Sequence, residues 1–189
     1  MKINVKRYGL IPVVCIALML TTGMLDQTTK DALKVQHVLR TIERRPQSSG
    51  SRDLTAEVTE KELNAYIAHR LAREKKPLVD SITIGLLDNN HVRGTVRFNS
   101  QMLNLDALLG DNLNFDFKGI FHTRNRAARL DLISLYLGGY PVKPQVLAFV
   151  LDTAAAYSGT ELGPIDGWYQ LPKGIKRITV RRGKAVIYY

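Results

Sequence analysis

Histidine, cysteine and isolated serines and carboxylates are the side chains in this 189-residue chain best suited to catalysis or metal binding, and none falls in a working pattern. The four histidines are His37, His69, His91 and His122, and no H-E-x-x-H or comparable motif contains any of them. His69 has no partner at ligand spacing. Ser134 and Ser158 lack the flanking glycines of a nucleophile elbow. Asp131 and Asp152 are isolated, and Asp116 alternates with apolar residues and should point to solvent. Cys15 is the single cysteine, so everything after residue 25 lacks a thiol nucleophile, a disulfide and a Cys-based metal site. The expectation is a protein that is not an enzyme, with no catalytic residues, no metal and no cofactor.

Binding of an apolar ligand needs no such groups, only an apolar lining and few polar anchors. Four of the five phenylalanines, Phe98, Phe115, Phe117 and Phe121, come from strand-like stretches, and Phe149 comes from an apolar helical one. A plain compact core would use the same residues, so composition leaves groove and core both open. Charge points to a class of partner. The formal net charge is +10, and the first 25 residues hold three basic and no acidic groups, which leaves +7 beyond them. An exported basic domain meets anionic lipid head groups more readily than nucleic acid. No nucleic-acid module is present. A solvated surface would account for the same charge.

The elements that would position these residues begin with an export signal. Lys2, Lys6 and Arg7 precede an apolar run from Leu10 to Leu25, 16 residues at most, interrupted by Thr21-Thr22-Gly23. That length fits a signal peptide or a short uncleaved anchor. The basic flank stays in the cytoplasm and residues 54–189 cross, which places the domain in the periplasm. Residues 26–53 read as a stalk with a short amphipathic helix carrying Val35, Val38, Leu39 and Ile42, followed by a flexible Pro46-to-Ser51 break. This helix lies on a membrane or packs on its own domain; the pattern allows both.

The domain opens with a helix capped at Thr59, where Thr59 and Glu62 have capping-box spacing. Leu63, Tyr66, Ile67 and Leu71 form its apolar face. Period-2 runs follow. Ile82, Ile84 and Leu86, then Val92, Val96 and Phe98, flank an Asp88-Asn89-Asn90 turn. Leu113, Phe115, Phe117, Gly119 and Phe121 alternate next, and Arg124-Asn125-Arg126 turns the chain. Leu130 and Leu132 then give way to Ile133, Leu135 and Leu137, a phase shift that predicts a bulge. Residues 99–112 read as either strand or helix. Pro144 starts a second helix, apolar over most of its circumference. A terminal hairpin turns at Arg182-Gly183. The order is helix, four-strand meander, helix, hairpin. It defines an α+β chain with one long curved antiparallel sheet and one or two helices for its concave face.

Three stretches carry a resemblance: Glu62-Leu63-Asn64 in the opening helix, Gly139-Tyr140-Pro141-Val142-Lys143-Pro144 before the second, and Leu171-Pro172-Lys173-Gly174-Ile175 before the hairpin. Across roughly residues 54–189 the chain resembles YceB-like bacterial envelope proteins of the tubular lipid-binding, or TULIP-like, superfamily. It departs from their lipoprotein members at Cys15, which has no small residue before it. The resemblance implies a sheet wrapped around a long helix, enclosing a groove for the acyl chains of a phospholipid or similar lipid. Tyr66, Ile67, Phe98, Phe115, Phe117, Leu132, Val146, Phe149 and Val150 are then the candidate lining. Arg181, Arg182 and Lys184 are the candidate rim for head groups at a membrane surface, unless they only protect the terminal hairpin from edge-to-edge pairing. The alternative is an envelope scaffold with a filled core that docks a partner protein.

Overall fold

The computed structural model describes residues 11–45, 53–74, 78–101, 113–158 and 164–189, with side chains from residue 27 onward except at positions 154, 155, 157 and 158. Among these, three helices and nine strands follow one another. Helix α1 (Ile11–Arg44) leads to β1 (Thr55–Thr59) and α2 (Glu60–Leu71). Strands β2 (Val79–Leu86), β3 (His91–Phe98), β4 (Asn114–Arg124), β5 (Ala127–Leu137) and β6 (Tyr140–Pro141) form a meander. Helix α3 (Pro144–Ser158), β7 (Tyr169–Gln170), β8 (Arg177–Arg181) and β9 (Lys184–Tyr188) complete the chain. The fold is α+β, with antiparallel sheet curled into a half-barrel.

Alternation and turn chemistry build the meander as expected. Asn89 and Asn90 take φ of 58° and 60°, the left-handed pair that a two-residue hairpin turn needs and that asparagine tolerates. The phase shift in β5 is a bulge: Phe117 pairs with Leu135, but Gly119 pairs with Leu132. Ile133 lies at the slip and is 59% exposed, so the inward set resumes at Leu135 rather than at Ile133.

The terminal hairpin does not lengthen the meander. β9 lies between β8 and β1 in a separate three-stranded ladder. Five residues with one strongly buried position, Val58, are too short a signal for β1 to stand out in the sequence. Hydrogen bonds join the two ladders into the curl. Asn90 N–H donates to Val180 O (3.2 Å), Asn90 Oδ1 accepts from Val180 N–H (2.7 Å), Gly183 N–H donates to Leu86 O (2.9 Å), and Thr123 Oγ1 donates to Ile178 O (3.0 Å).

Helix α2 is fixed from both ends of its first turns. The Thr59 capping box forms as its spacing requires. Asn64 then bridges the free edge of β2, accepting from Ile84 N–H (2.8 Å) and donating to Ile84 O (2.7 Å), while Glu60 accepts from Leu86 N–H (2.7 Å). Two half-buried polar side chains thus replace a missing neighbour strand, which blunts the edge.

Helix α1 runs without a break from Ile11 to Arg44. Its Val35 and Ile42 are buried with Val58, Ile175 and Ile187, and Val38 and Leu39 pack beside them. Of the two placements the heptad-like pattern allowed, packing on its own domain is the one observed. Among the described residues no helix is long and apolar enough to cross a membrane. The expected signal peptide or anchor falls on residues whose side chains lie outside those described, as do the Pro46-to-Ser51 break and residues 102–112.

Candidate functional site

The curl of the two ladders leaves an apolar cavity of about 420 Å³ beneath α1 and α2, partly open to solvent. The helices contribute Val35 and Leu39 from α1, and Leu63, Tyr66 and Ile67 from α2. From the meander come Ile84, Leu86, Val92, Phe117, Phe121 and Leu130. The three-stranded ladder adds Val58, Ile178, Val180, Ala185 and Ile187, with Pro172 and Ile175 at its approach. Every lining side chain is apolar, and only Tyr66 carries a polar atom. Two glycines make the base possible: a Cβ at Gly94 would lie 2.7 Å from the Phe117 ring, and one at Gly119 2.9 Å from Leu130. Both large side chains lie across bare backbone on the neighbouring strand.

Such a space constrains its contents. An apolar wall gives water no hydrogen-bond partners, and water occupies a cavity only where it finds two or more. Solvent that reaches the open part meets only apolar surface, and an apolar occupant would remove that surface from water. The volume falls within the roughly 300–1,000 Å³ of ordinary ligand sites.

The residues expected to line a groove fall in separate places. Tyr66, Ile67 and Phe117 line the cavity. Phe98, Phe115 and Val150 are buried in a second cluster at the other end of the meander, with Val146 packed against it and the Phe98 and Phe115 rings edge to face at 5.8 Å. Leu132 faces a different recess, beside Pro144, Ala148 and Ile165. Phe149 is 57% exposed on α3. Phe117 touches both clusters and forms the partition between them. Most of the cavity lining was missed because it comes from nine elements that meet only in the fold. On β9 Ala185, Val186 and Ile187 form an unbroken apolar run, so period-2 reading could not choose Ala185 and Ile187 over Val186 as the inward pair.

The expected rim is at the β8–β9 turn, and two of its three cations are engaged there. Arg182 pairs with Asp88 through Nε (2.9 Å) and its backbone N–H (3.2 Å), and Lys184 Nζ lies 2.9 Å from both oxygens of Glu57. Arg181 is exposed.

Charge also holds α1 over the cavity. Lys34 pairs with the buried Glu62, and Lys61 with Asp31 (2.9 Å). Burial alone would raise the Glu62 pKa, but hydrogen bonds from Lys34 and Thr59 outweigh it, and the carboxyl is held below its ordinary value. The Asp31 carboxyl is held low by its hydrogen bond with Lys61. His122 Nε2 (3.2 Å) and Arg129 Nε (2.7 Å) meet Asp131 on a half-exposed strand surface, away from the cavity lining. Among the described residues no group of three or more His, Cys, Asp or Glu side chains is placed to hold a metal ion.

Fold and cavity together define an α+β half-barrel with an apolar pocket. No protein-family model matches the chain, and neither a curated protein nor a solved structure does.

Proposed function

We propose that the chain is a non-catalytic lipid-binding or lipid-transfer module of the bacterial cell envelope. It acts in the periplasm, residues 10–25 serve as its export signal or inner-membrane anchor, and its kinship is with YceB-like, TULIP-like proteins. The observation that carries this reading is the wholly apolar, partly open cavity, whose lining suits an acyl chain and offers nothing to water or to a polar substrate. The occupant enters tail first, and its head group stays at the mouth.

A second reading has its own support. The cluster of Phe98, Leu113, Phe115, Leu135 and Val150 is tightly buried, with Leu113, Phe115 and Val150 fully inaccessible. A scaffold that docks an envelope protein would be built that way throughout. Titration of the full chain with a fluorescent long-chain fatty acid separates the two. Saturable uptake, displaced by unlabelled phospholipid, supports the lipid module; no uptake leaves the scaffold.

A further inference from the structure

We propose that one pole of the molecule, the end opposite the β8–β9 turn, is a docking face for an anionic lipid surface. Three stretches that are distant in sequence converge there. The C-terminal turn of α1 supplies Arg40, Arg44 and Arg45. The β4–β5 turn supplies Arg124 and Arg126, and Leu171 N–H donates to Arg126 O (2.8 Å), which brings the 171–177 segment beside it. That segment supplies Lys173, Lys176 and Arg177, and its Gly174 lies against the end of α1, where an added Cβ would be 2.6 Å from Ile42 O. The carboxylates on these stretches are Glu43 and Asp53, and Asp53 is engaged by Lys176 at 2.6 Å. Among the described residues these stretches carry eight cations, with two carboxylates on or beside them.

The contrast with the opposite pole makes the placement informative. At the β8–β9 turn, Arg182 and Lys184 are matched by Asp88 and Glu57. At the basic pole, Arg40, Arg44, Arg124 and Lys173 are exposed and have no carboxylate partner among the described residues. Charge left unmatched over one face attracts an anionic surface, and each cation near such a surface adds to binding in a salt-dependent way.

Aromatic and apolar groups favour lipid over nucleic acid as the anionic partner. Trp168 (43% exposed) and Tyr169 (48%) flank this pole through the β7–β5 pairing, and Leu54 is 38% exposed beside Tyr189. Tyr188 lies under the Arg177 guanidinium (3.8 Å to the ring centroid), and Tyr189 near that of Arg45 (5.8 Å). Amphipathic rings beside cations suit the head-group region of a bilayer. The cavity approaches the same pole through Leu39, Pro172, Ile175 and Ile178. The inference stands on charge and placement and does not require the cavity to be occupied. Docking here turns the Ile11 end of α1 away from the surface, since 34 residues of helix separate the two by about 50 Å.

The test uses the full chain with phosphatidylcholine vesicles, with and without phosphatidylglycerol, at low and physiological salt. Trp168, the single tryptophan, reports docking without any substitution. Its emission should shift to the blue on anionic vesicles only, and the shift should fade with salt. The fourfold variant Arg40→Gln, Arg44→Gln, Arg124→Gln, Lys173→Gln should lose about tenfold or more in anionic-vesicle affinity. The matched variant Arg70→Gln, Arg73→Gln, Arg93→Gln, Lys118→Gln, with the same loss of charge elsewhere, should retain it. Equal loss in both variants, equal binding to neutral vesicles, or stronger binding to a short duplex DNA than to the vesicles would each overturn the proposal. Fatty-acid uptake measured on the same variants keeps this outcome separate from that of the cavity.

Discussion

Placing a phenyl ring in the cavity distinguishes a ligand site from a packed core by the sign of a stability change. Ala185 sits on the cavity wall, paired across β9 with Val58 on one side and Val180 on the other. In Ala185→Phe the new ring would enter the space below α2. Burying a side chain of that size contributes about 1.5–3 kcal/mol, provided that room exists. In a domain of this length each kcal/mol moves Tm by about 2–4 °C, so the delipidated variant should melt several degrees above the delipidated parent. Forced into a filled interior, the same ring would instead cost about 1–3 kcal/mol and lower Tm. Thermal unfolding after delipidation, followed by fatty-acid titration, gives both quantities. A raised Tm with weakened uptake is expected. A lowered Tm with unchanged uptake would refute the reasoning that the space is a ligand cavity.

Three other outcomes follow from the same geometry. Phe117→Glu sets a charge on the partition between cavity and core, and should abolish fatty-acid uptake; a variant that unfolds outright, from a parent with no uptake, would instead mark a filled interior with an unpaired buried charge. Gly174→Ala combines a left-handed φ of 94° with a Cβ 2.6 Å from Ile42 O, so it should cost more than the about 1–2 kcal/mol of the backbone penalty alone. Gly183→Ala, at φ 73° with nothing within 4 Å, should cost only that penalty, and equal losses in the two denaturant melts would show that the turn does not bear on α1. Glu62 and Asp31 are held below their ordinary values of 4.5 and 3.8, so the stability they contribute is present above those values and is lost as pH falls through the lower, folded-state pKa values. Hydrogen exchange in α1 and α2 should therefore accelerate ahead of the strands on acidification below pH 4.5, and uniform acceleration would contradict a charge-held α1.

Local signals in the sequence were read well where one element decided the outcome. The Thr59 cap, the Asn89-Asn90 turn and the slip at Ile133 each depend on neighbours within a few residues, and each forms. The cavity was legible only in Tyr66, Ile67 and Phe117, because its wall depends on which ladder the terminal hairpin joins. That pairing is set by β1, a five-residue strand with a single strongly buried position. For the expected rim, sequence shows where the cations are, but not that Asp88 and Glu57 lie opposite Arg182 and Lys184. Likewise, nothing in the order of residues says that α1, the β4–β5 turn and the 171–177 segment end at one pole.

Native mass spectrometry of the full chain, purified under mild conditions beside Ala185→Phe, tests the central claim most directly. The parent should carry an added mass matching an acyl-chain lipid, and the variant, whose N-terminal apolar run is identical, should carry much less. A parent that flies at its bare chain mass, or equal adducts on both proteins, would contradict a lipid held in the cavity.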